Sequence, residues 1–237
     1  MTTRVGESPE PFSSQYGEDE FLVKHKHVPR SGVFVDVGAG DPVRFSNTYY
    51  LERLGWTGVC IDADPKQIEA LRRSRTCAVE WAAVAAEDGE VDLLQCEDPD
   101  YSTTLDHLPE LAANRGWGYA STRVPSLKLE TILGKHGLET IDLLSIDTEG
   151  SELDVCETLD WARHRPRVVV IEYLTWGRPS QEAAVRTYFA ELPYRLIHRT
   201  MSNLIFKEMT ESRMLHQRSP LRAYLTKRDE RKFPLGT

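Results

Sequence analysis

Two hydrophobic rhythms take turns along this chain. Short apolar runs, VFVDVG (33–38), GVCIDAD (58–64), CAVEWAAV (77–84), IDLLSID (141–147) and RVVVIEYL (167–174), read as buried strands. Between them lie segments with helical spacing: 16–28, 46–55, 65–74, 126–137, 151 to about 161, and 180–191. Ser46 is a candidate N-cap, Pro65 suits a first helical position, and Gly55 and Gly137 stand just past helix ends. GEVDLLQ (89–95) adds a strand beside a DG turn, and 194–208 reads as a closing antiparallel hairpin. This alternation from 16 to 207 predicts an α/β fold with a doubly wound, mostly parallel sheet. Residues 101–124 interrupt it as a long irregular insert, the kind of loop that carries specificity.

The length of 237 residues suits one sizeable domain. The longest strongly apolar run, Val168 to Ile171 with its flanks, falls far short of the ~20 residues of a membrane helix, so no membrane partner is expected. The opening MTTRVGESPEPFSS has no apolar core; residues 1–11 read as a mobile tail rather than a secretory signal, and a cytoplasmic location follows. Cys60, Cys77, Cys96 and Cys156 show no CxxC spacing and read as reduced structural thiols.

Charge divides the chain further. Residues 207–237 hold eight Lys/Arg against four Asp/Glu, or +4, so the net −8 leaves −12 on the rest. An acidic body argues against nucleic acid as a partner. The basic extension, 208–237, carries Met214, Leu215, Leu221, Tyr224 and Leu225, which predict short helical pieces docked on the domain (12–207) or on a second subunit.

The chemistry centres on GVFVDVGAGDPVRFSN (32–47). A glycine turn at the carboxyl end of a first strand brings backbone amides close to a ligand. Gly38 and Gly40 are present, but Val43 takes the third place of GxGxxG, and no P-loop sequence exists. Asp62, with Ala63 beside it, ends the second strand 22 residues after Gly40, where a carboxylate accepts both hydroxyls of a ribose. That arrangement suits both a nicotinamide dinucleotide and S-adenosylmethionine. Asp36, buried within the first strand, favours the second, because a cationic ligand or a ring of amides offsets its burial.

SQYGEDEFL (14–22), FVDVGAGD (34–41), SNTYYLERLGWTGVCIDADP (46–65), IDLLSIDTEGSEL (141–153) and VVVIEYL (168–174), in that order, resemble the FkbM family of S-adenosylmethionine-dependent methyltransferases, in its SQYGED branch. The resemblance implies a class I, Rossmann-like methyltransferase fold and methylation of a hydroxyl on a sugar or natural-product small molecule. It departs at GAGDPVRF, where Pro42 stiffens the turn, and at IDADP, where Asp62 is one methylene shorter than the usual acid.

The candidate cofactor-binding residues are Gln15, Tyr16, Glu18, Asp36, Gly38, Ala39, Gly40, Asn47, Asp62 and Ala63. Gln15, Tyr16 and Glu18 read either as a polar helix start or, by the resemblance, as a cofactor lid. Asn47 either caps its helix or reaches the cofactor. Asp147 and Glu149 end the fourth strand and are the catalytic candidates, Asp147 as proton acceptor and Glu149 on the substrate side; Glu172 and His198 are substrate-side candidates. Asp147, Glu149 and Glu172 have the oxygen donors that suit Mg²⁺, although the resemblance implies no metal. The alternatives are a nicotinamide oxidoreductase, against which Val43 counts, and a non-catalytic cofactor- or partner-binding domain, against which the run of acids counts. The partner is a small-molecule acceptor, with a homo-oligomer compatible.

Overall fold

A computed structural model describes residues 12–97, 102–104, 116, 118–175 and 179–209. The apolar runs form the strands of a seven-stranded sheet in the order 78–81, 57–62, 33–37, 143–146, 168–172, 203–208, 194–199. β1 (Val33–Val37), β2 (Thr57–Asp62), β3 (Ala78–Trp81), β7 (Leu143–Ile146) and β8 (Val168–Glu172) run parallel; β10 (Asn203–Glu208) is antiparallel to both β8 and β9 (Tyr194–Arg199). The expected doubly wound sheet and its closing hairpin are both present. The chain moves outward from β1 through β2 to β3, then returns to the other side of β1 with β7. Such a reversal leaves a crevice at the carboxyl ends of β1 and β7, the place where open α/β sheets bind ligands.

Each strand alternates between two cores. Val35, Val37, Leu144, Ile146, Val169 and Ile171 face α4 (Leu129–His136), α5 (Glu152–Glu157) and α6 (Glu182–Ala190). Phe34, Cys60, Leu143, Val168 and Val170 face α1 (Glu18–Lys24), α2 (Tyr49–Arg53) and α3 (Pro65–Ser74). Both faces of a parallel sheet are thereby covered, which explains why its strands are apolar throughout.

Several local expectations shift. Thr48, not Ser46, is the N-cap of α2; Ser46 lies two positions earlier, and its Oγ accepts from Tyr49 N at 3.1 Å. The predicted strand 77–84 divides into β3 and β4 (Ala83–Val84), and β4 leaves the main sheet for a second one of order β4-β6-β5. In that sheet β5 (Gly89–Cys96) pairs with β6 (Tyr119–Leu127), the end of the segment expected to be irregular. The first half of β6 is largely exposed, so no apolar alternation betrays it there, and Pro125 is tolerated because β4 reaches only Ser126 and Leu127. Helix α4 consequently starts at Leu129 rather than 126. α5 is shorter than 151–161: it stops at Glu157, where Thr158 Oγ1 turns back on Val155 O at 2.8 Å. Among the described residues no helix is long and apolar enough to cross a membrane. The tail 1–11 and the extension beyond Met209 lie outside the described residues.

Candidate active site

At the end of β1 the backbone takes a left-handed turn at Gly38 (φ 72°), and Gly38 N and Ala39 N donate to Ile61 O at 2.9 and 3.1 Å. A Cβ on Gly38 would stand 1.6 Å from Asp147 O, so glycine is obligatory here. Gly40 (φ 57°) directs its N–H to Asp62 Oδ2 at 2.9 Å, while Asp64 N donates to Oδ1 at 2.8 Å. Both oxygens of the Asp62 carboxylate are thus fixed by amides. Burial raises its pKa to about 6, opposed by those two hydrogen bonds. Trp81 Nε1 holds Ala63 O at 3.0 Å, and Asp64 binds Gln95 Nε2 and Ser102 Oγ, which fastens the smaller sheet to this rim. Between the sheets lies a cavity of about 180 Å³. One end is walled by Ala63, Ala82, Ala83, Val84 and Leu93, the other by acids.

The acidic end is built on β7. Asp147 N donates to Val37 O at 2.9 Å, which sets its side chain beside the glycine turn. The following turn is left-handed at Glu149 (φ 57°), with Thr103 Oγ1 donating to Glu149 O at 3.2 Å. Glu152, not foreseen as a site residue, organises this turn: its Oε1 accepts from Thr148 N at 3.0 Å and Gly150 N at 2.9 Å, and its Oε2 from Gln181 Nε2 at 3.1 Å. An acid in the first turn of a helix just after a glycine was the signal for it. Glu172, buried at the end of β8, accepts from Thr175 Oγ1 at 2.9 Å. Burial comes first among the causes that push Asp147 up to about 7, followed by Glu152 and Asp36; a hydrogen bond with Glu172 acts the other way. Glu172 is driven well up by burial and by the charges of Asp147, Glu149 and Glu152. Asp147 and Glu172 share a proton instead of both carrying full charge.

Gln15, Gly38, Ala39, Gly40, Asp62, Ala63, Asp147, Glu149 and Glu172 therefore line a single cavity, with Ser102 and Thr103 from the insert and Arg44 and Phe45 as members the sequence reading did not single out. Five expected residues do not line it. Asp36 faces α2, where it accepts from Thr48 Oγ1 at 2.5 Å and lies within the field of the Arg75 guanidinium. Arg75 in turn pairs with Glu52 and donates to Thr48 Oγ1 at 2.9 Å. A cation of the protein thus stands where a cation of the ligand was expected, and burial, its leading perturbation, still raises the Asp36 pKa. Asn47 neither caps nor reaches the cavity; its Nδ2 donates to Ser145 Oγ at 3.2 Å. Glu18 is fully buried, receiving Thr200 Oγ1 at 2.7 Å and Asn203 Nδ2 at 3.0 Å, and so pins α1 to the turn of the hairpin. Tyr16 N binds Glu18 Oε2 at 3.0 Å, and Tyr16 and His198 line a separate surface hollow with Tyr173 and Met201. The His198 ring stacks on Phe21 at 4.0 Å.

A metal trio would be Asp147, Glu152 and Glu172, with one oxygen of each within 4.8 Å of the others, not the Glu149-containing set. Glu152 already accepts from two turn amides and Gln181, and Asp147 is hydrogen-bonded with Glu172.

Among solved structures, the chain is similar to a TehB-like SAM-dependent methyltransferase from Corynebacterium glutamicum (12% identity, 83% of this chain and 89% of that chain, TM-score 0.47). It is also similar to a methyltransferase from Geobacter sulfurreducens (16% identity, 84% and 80%, TM-score 0.43). A third is an O-methyltransferase from Bacillus cereus in complex with SAH (12% identity, 86% and 84%, TM-score 0.42). None of the curated proteins matches the chain. The family model described as the methyltransferase FkbM domain matches residues 36–196, which sets aside the nicotinamide alternative. With two thirds of its length matched and a class I sheet carrying the glycine turn, this chain belongs to the FkbM family of S-adenosylmethionine-dependent methyltransferases.

Proposed function

We propose that the chain is an O-methyltransferase acting on a hydroxyl of a small molecule, such as a sugar or a natural-product intermediate. The observation that carries this reading is the Asp147 carboxyl, raised to about 7 at the acidic end of the cavity and 2.9 Å through its backbone from β1. A general base is most effective when its pKa lies near the working pH.

Bound S-adenosylmethionine supplies an electrophilic methyl on a positive sulfur. The residues present fit it: Asp62 offers a carboxylate held by Gly40 N and Asp64 N for a ribose, and Ala63, Ala82, Ala83 and Leu93 offer an apolar wall for a purine. The Gly38–Gly40 turn admits a chain close to the backbone, and Asp147, Glu149 and Glu172 offer negative charge to an ammonium or sulfonium. Asp147 would take the acceptor's hydroxyl proton as that oxygen accepts the methyl that the bound cofactor would supply. Positioning of that hydroxyl supplies much of the acceleration. Glu149 and Glu172 orient the acceptor, and no step runs through a metal.

The test is methyl transfer from labelled cofactor into small-molecule extracts, paired with calorimetric titration of S-adenosylhomocysteine. Asp147→Asn is expected to lower turnover by about 10²–10⁴-fold with cofactor affinity changed less than about tenfold. Glu149→Gln should mainly raise the acceptor's KM. Near-parental turnover of Asp147→Asn at saturating acceptor overturns the role of Asp147, and label found only on nitrogen overturns O-methylation.

A further inference from the structure

Cys60 and Cys77 are 17 positions apart, yet their Sγ atoms lie 3.5 Å apart. β2 and β3 run parallel with Cys60 opposite Val79, and the bend before β3 returns Cys77 over Cys60. Cys60 is fully buried and Cys77 partly exposed; Cys96 and Cys156 are buried elsewhere, in β5 and α5. The hydrogen bond from Cys60, followed by the charge of nearby Arg75, holds the Cys77 thiol below its ordinary value despite partial burial. The same bond and its own burial push Cys60 up. Cys77 is thus the outer of the two sulfur-bearing residues, and Cys60 lies behind it.

We propose that Cys60 and Cys77 are a redox-active thiol pair that closes to a disulfide with an oxidant of the glutathione-disulfide class, and that closure loosens the cofactor cleft. The Cys77 thiolate attacks the oxidant's S–S bond, forming a mixed disulfide and releasing one glutathione thiolate. Cys60 then loses its proton and attacks the Cys77 sulfur, releasing the second glutathione. Two protein thiols and one oxidised glutathione become one protein disulfide and two reduced glutathiones. The sulfurs must close from 3.5 Å to about 2.05 Å, so backbone or rotamers move by roughly 1.5 Å.

That movement has two routes to the cleft. Cys60 precedes by two residues Asp62, whose carboxylate holds Gly40 N at 2.9 Å. Cys77 N donates to Glu52 Oε1 at 2.8 Å, and Glu52 anchors Arg75, which donates to Pro42 O and Ser46 Oγ at 3.3 Å just beyond the glycine turn. The effect on the cleft rests on the cofactor reading above; the thiol chemistry does not.

The whole chain, incubated with oxidised glutathione, quenched in acid and mapped by mass spectrometry, should lose two of its four thiols and yield a peptide pair joined through Cys60 and Cys77. Cys60→Ser should instead retain glutathione on Cys77, and Cys77→Ser should leave Cys60 unmodified. The disulfide form should bind S-adenosylhomocysteine about fivefold more weakly, with affinity restored by dithiothreitol. Four titratable thiols after oxidation, or glutathione left on Cys77 of the parent protein, overturns the pair. Equal affinity of the oxidised and reduced forms overturns the link to the cleft. A reduced protein that never binds S-adenosylhomocysteine sinks the cofactor reading instead, while the mapped disulfide still supports the thiol pair.

Discussion

Replacing Asp147 by Asn is expected to stabilise the cofactor-free protein above neutral pH, even though it is expected to slow methyl transfer. The carboxyl titrates at about 7 in the fold and at the ordinary 3.8 in an unfolded chain. Between those values the folded state binds more protons than the unfolded one, so its stability falls as pH rises and is lowest above pH 7. The shift corresponds to a ceiling of about 4 kcal/mol at roughly 1.4 kcal/mol per unit. Asp147 is only half-buried and shares its proton with Glu172, which brings a realistic figure to about 1–2 kcal/mol. Asn is neutral at every pH and its amide oxygen still accepts from Glu172, so it removes the buried charge without removing that hydrogen bond. For a chain of this length the gain converts to roughly 2–8 °C. Scanning calorimetry of parent and variant at pH 8 and pH 4 checks it: the gain should appear at pH 8 and largely vanish at pH 4, close to the ordinary 3.8 of the unfolded carboxyl. A variant that melts no higher than the parent at pH 8, or gains equally at both pH values, refutes the reasoning.

Asp62→Ala should weaken S-adenosylhomocysteine binding by roughly 1.5–3 kcal/mol, the range for hydrogen bonds to a charged group, measured by titration calorimetry. Gly38→Ala should prevent a native cleft altogether, because its Cβ has Asp147 O at 1.6 Å; loss of binding with a melting point lowered by several degrees or more is the expected result. Glu18→Ala removes the acceptor of Thr200 Oγ1 and Asn203 Nδ2 and should cost about 2–4 kcal/mol in denaturant unfolding, with cofactor affinity much less affected. Arg75→Ala leaves Glu52 and Asp36 without their buried countercharge and should destabilise by about 3–5 kcal/mol, read the same way.

What the sequence determined by itself was whatever depends on local pattern. The apolar runs over β1, β2, β7 and β8 are buried on both faces, so they announce strands without help, and Gly38, Gly40 and Asp62 identify a ligand turn because their types and spacing are themselves the chemistry. Asp147, Glu149 and Glu172 were legible for the same reason, since each lies at or just beyond the end of a strand at one edge of an open sheet. Tertiary structure decided which carboxylates face the cavity. Asp36 sits in the most suggestive motif, yet it turns toward an arginine 39 positions later, and no local pattern discloses a partner at that distance. Glu18 likewise meets Thr200 and Asn203 from the far end of the chain, and Glu152 shapes the turn after β7 through backbone amides whose direction exists only once the turn is folded. β6 was hidden because an exposed strand needs only its neighbour's hydrogen bonds, not an apolar face, and Cys60 met Cys77 only because two parallel strands laid them side by side.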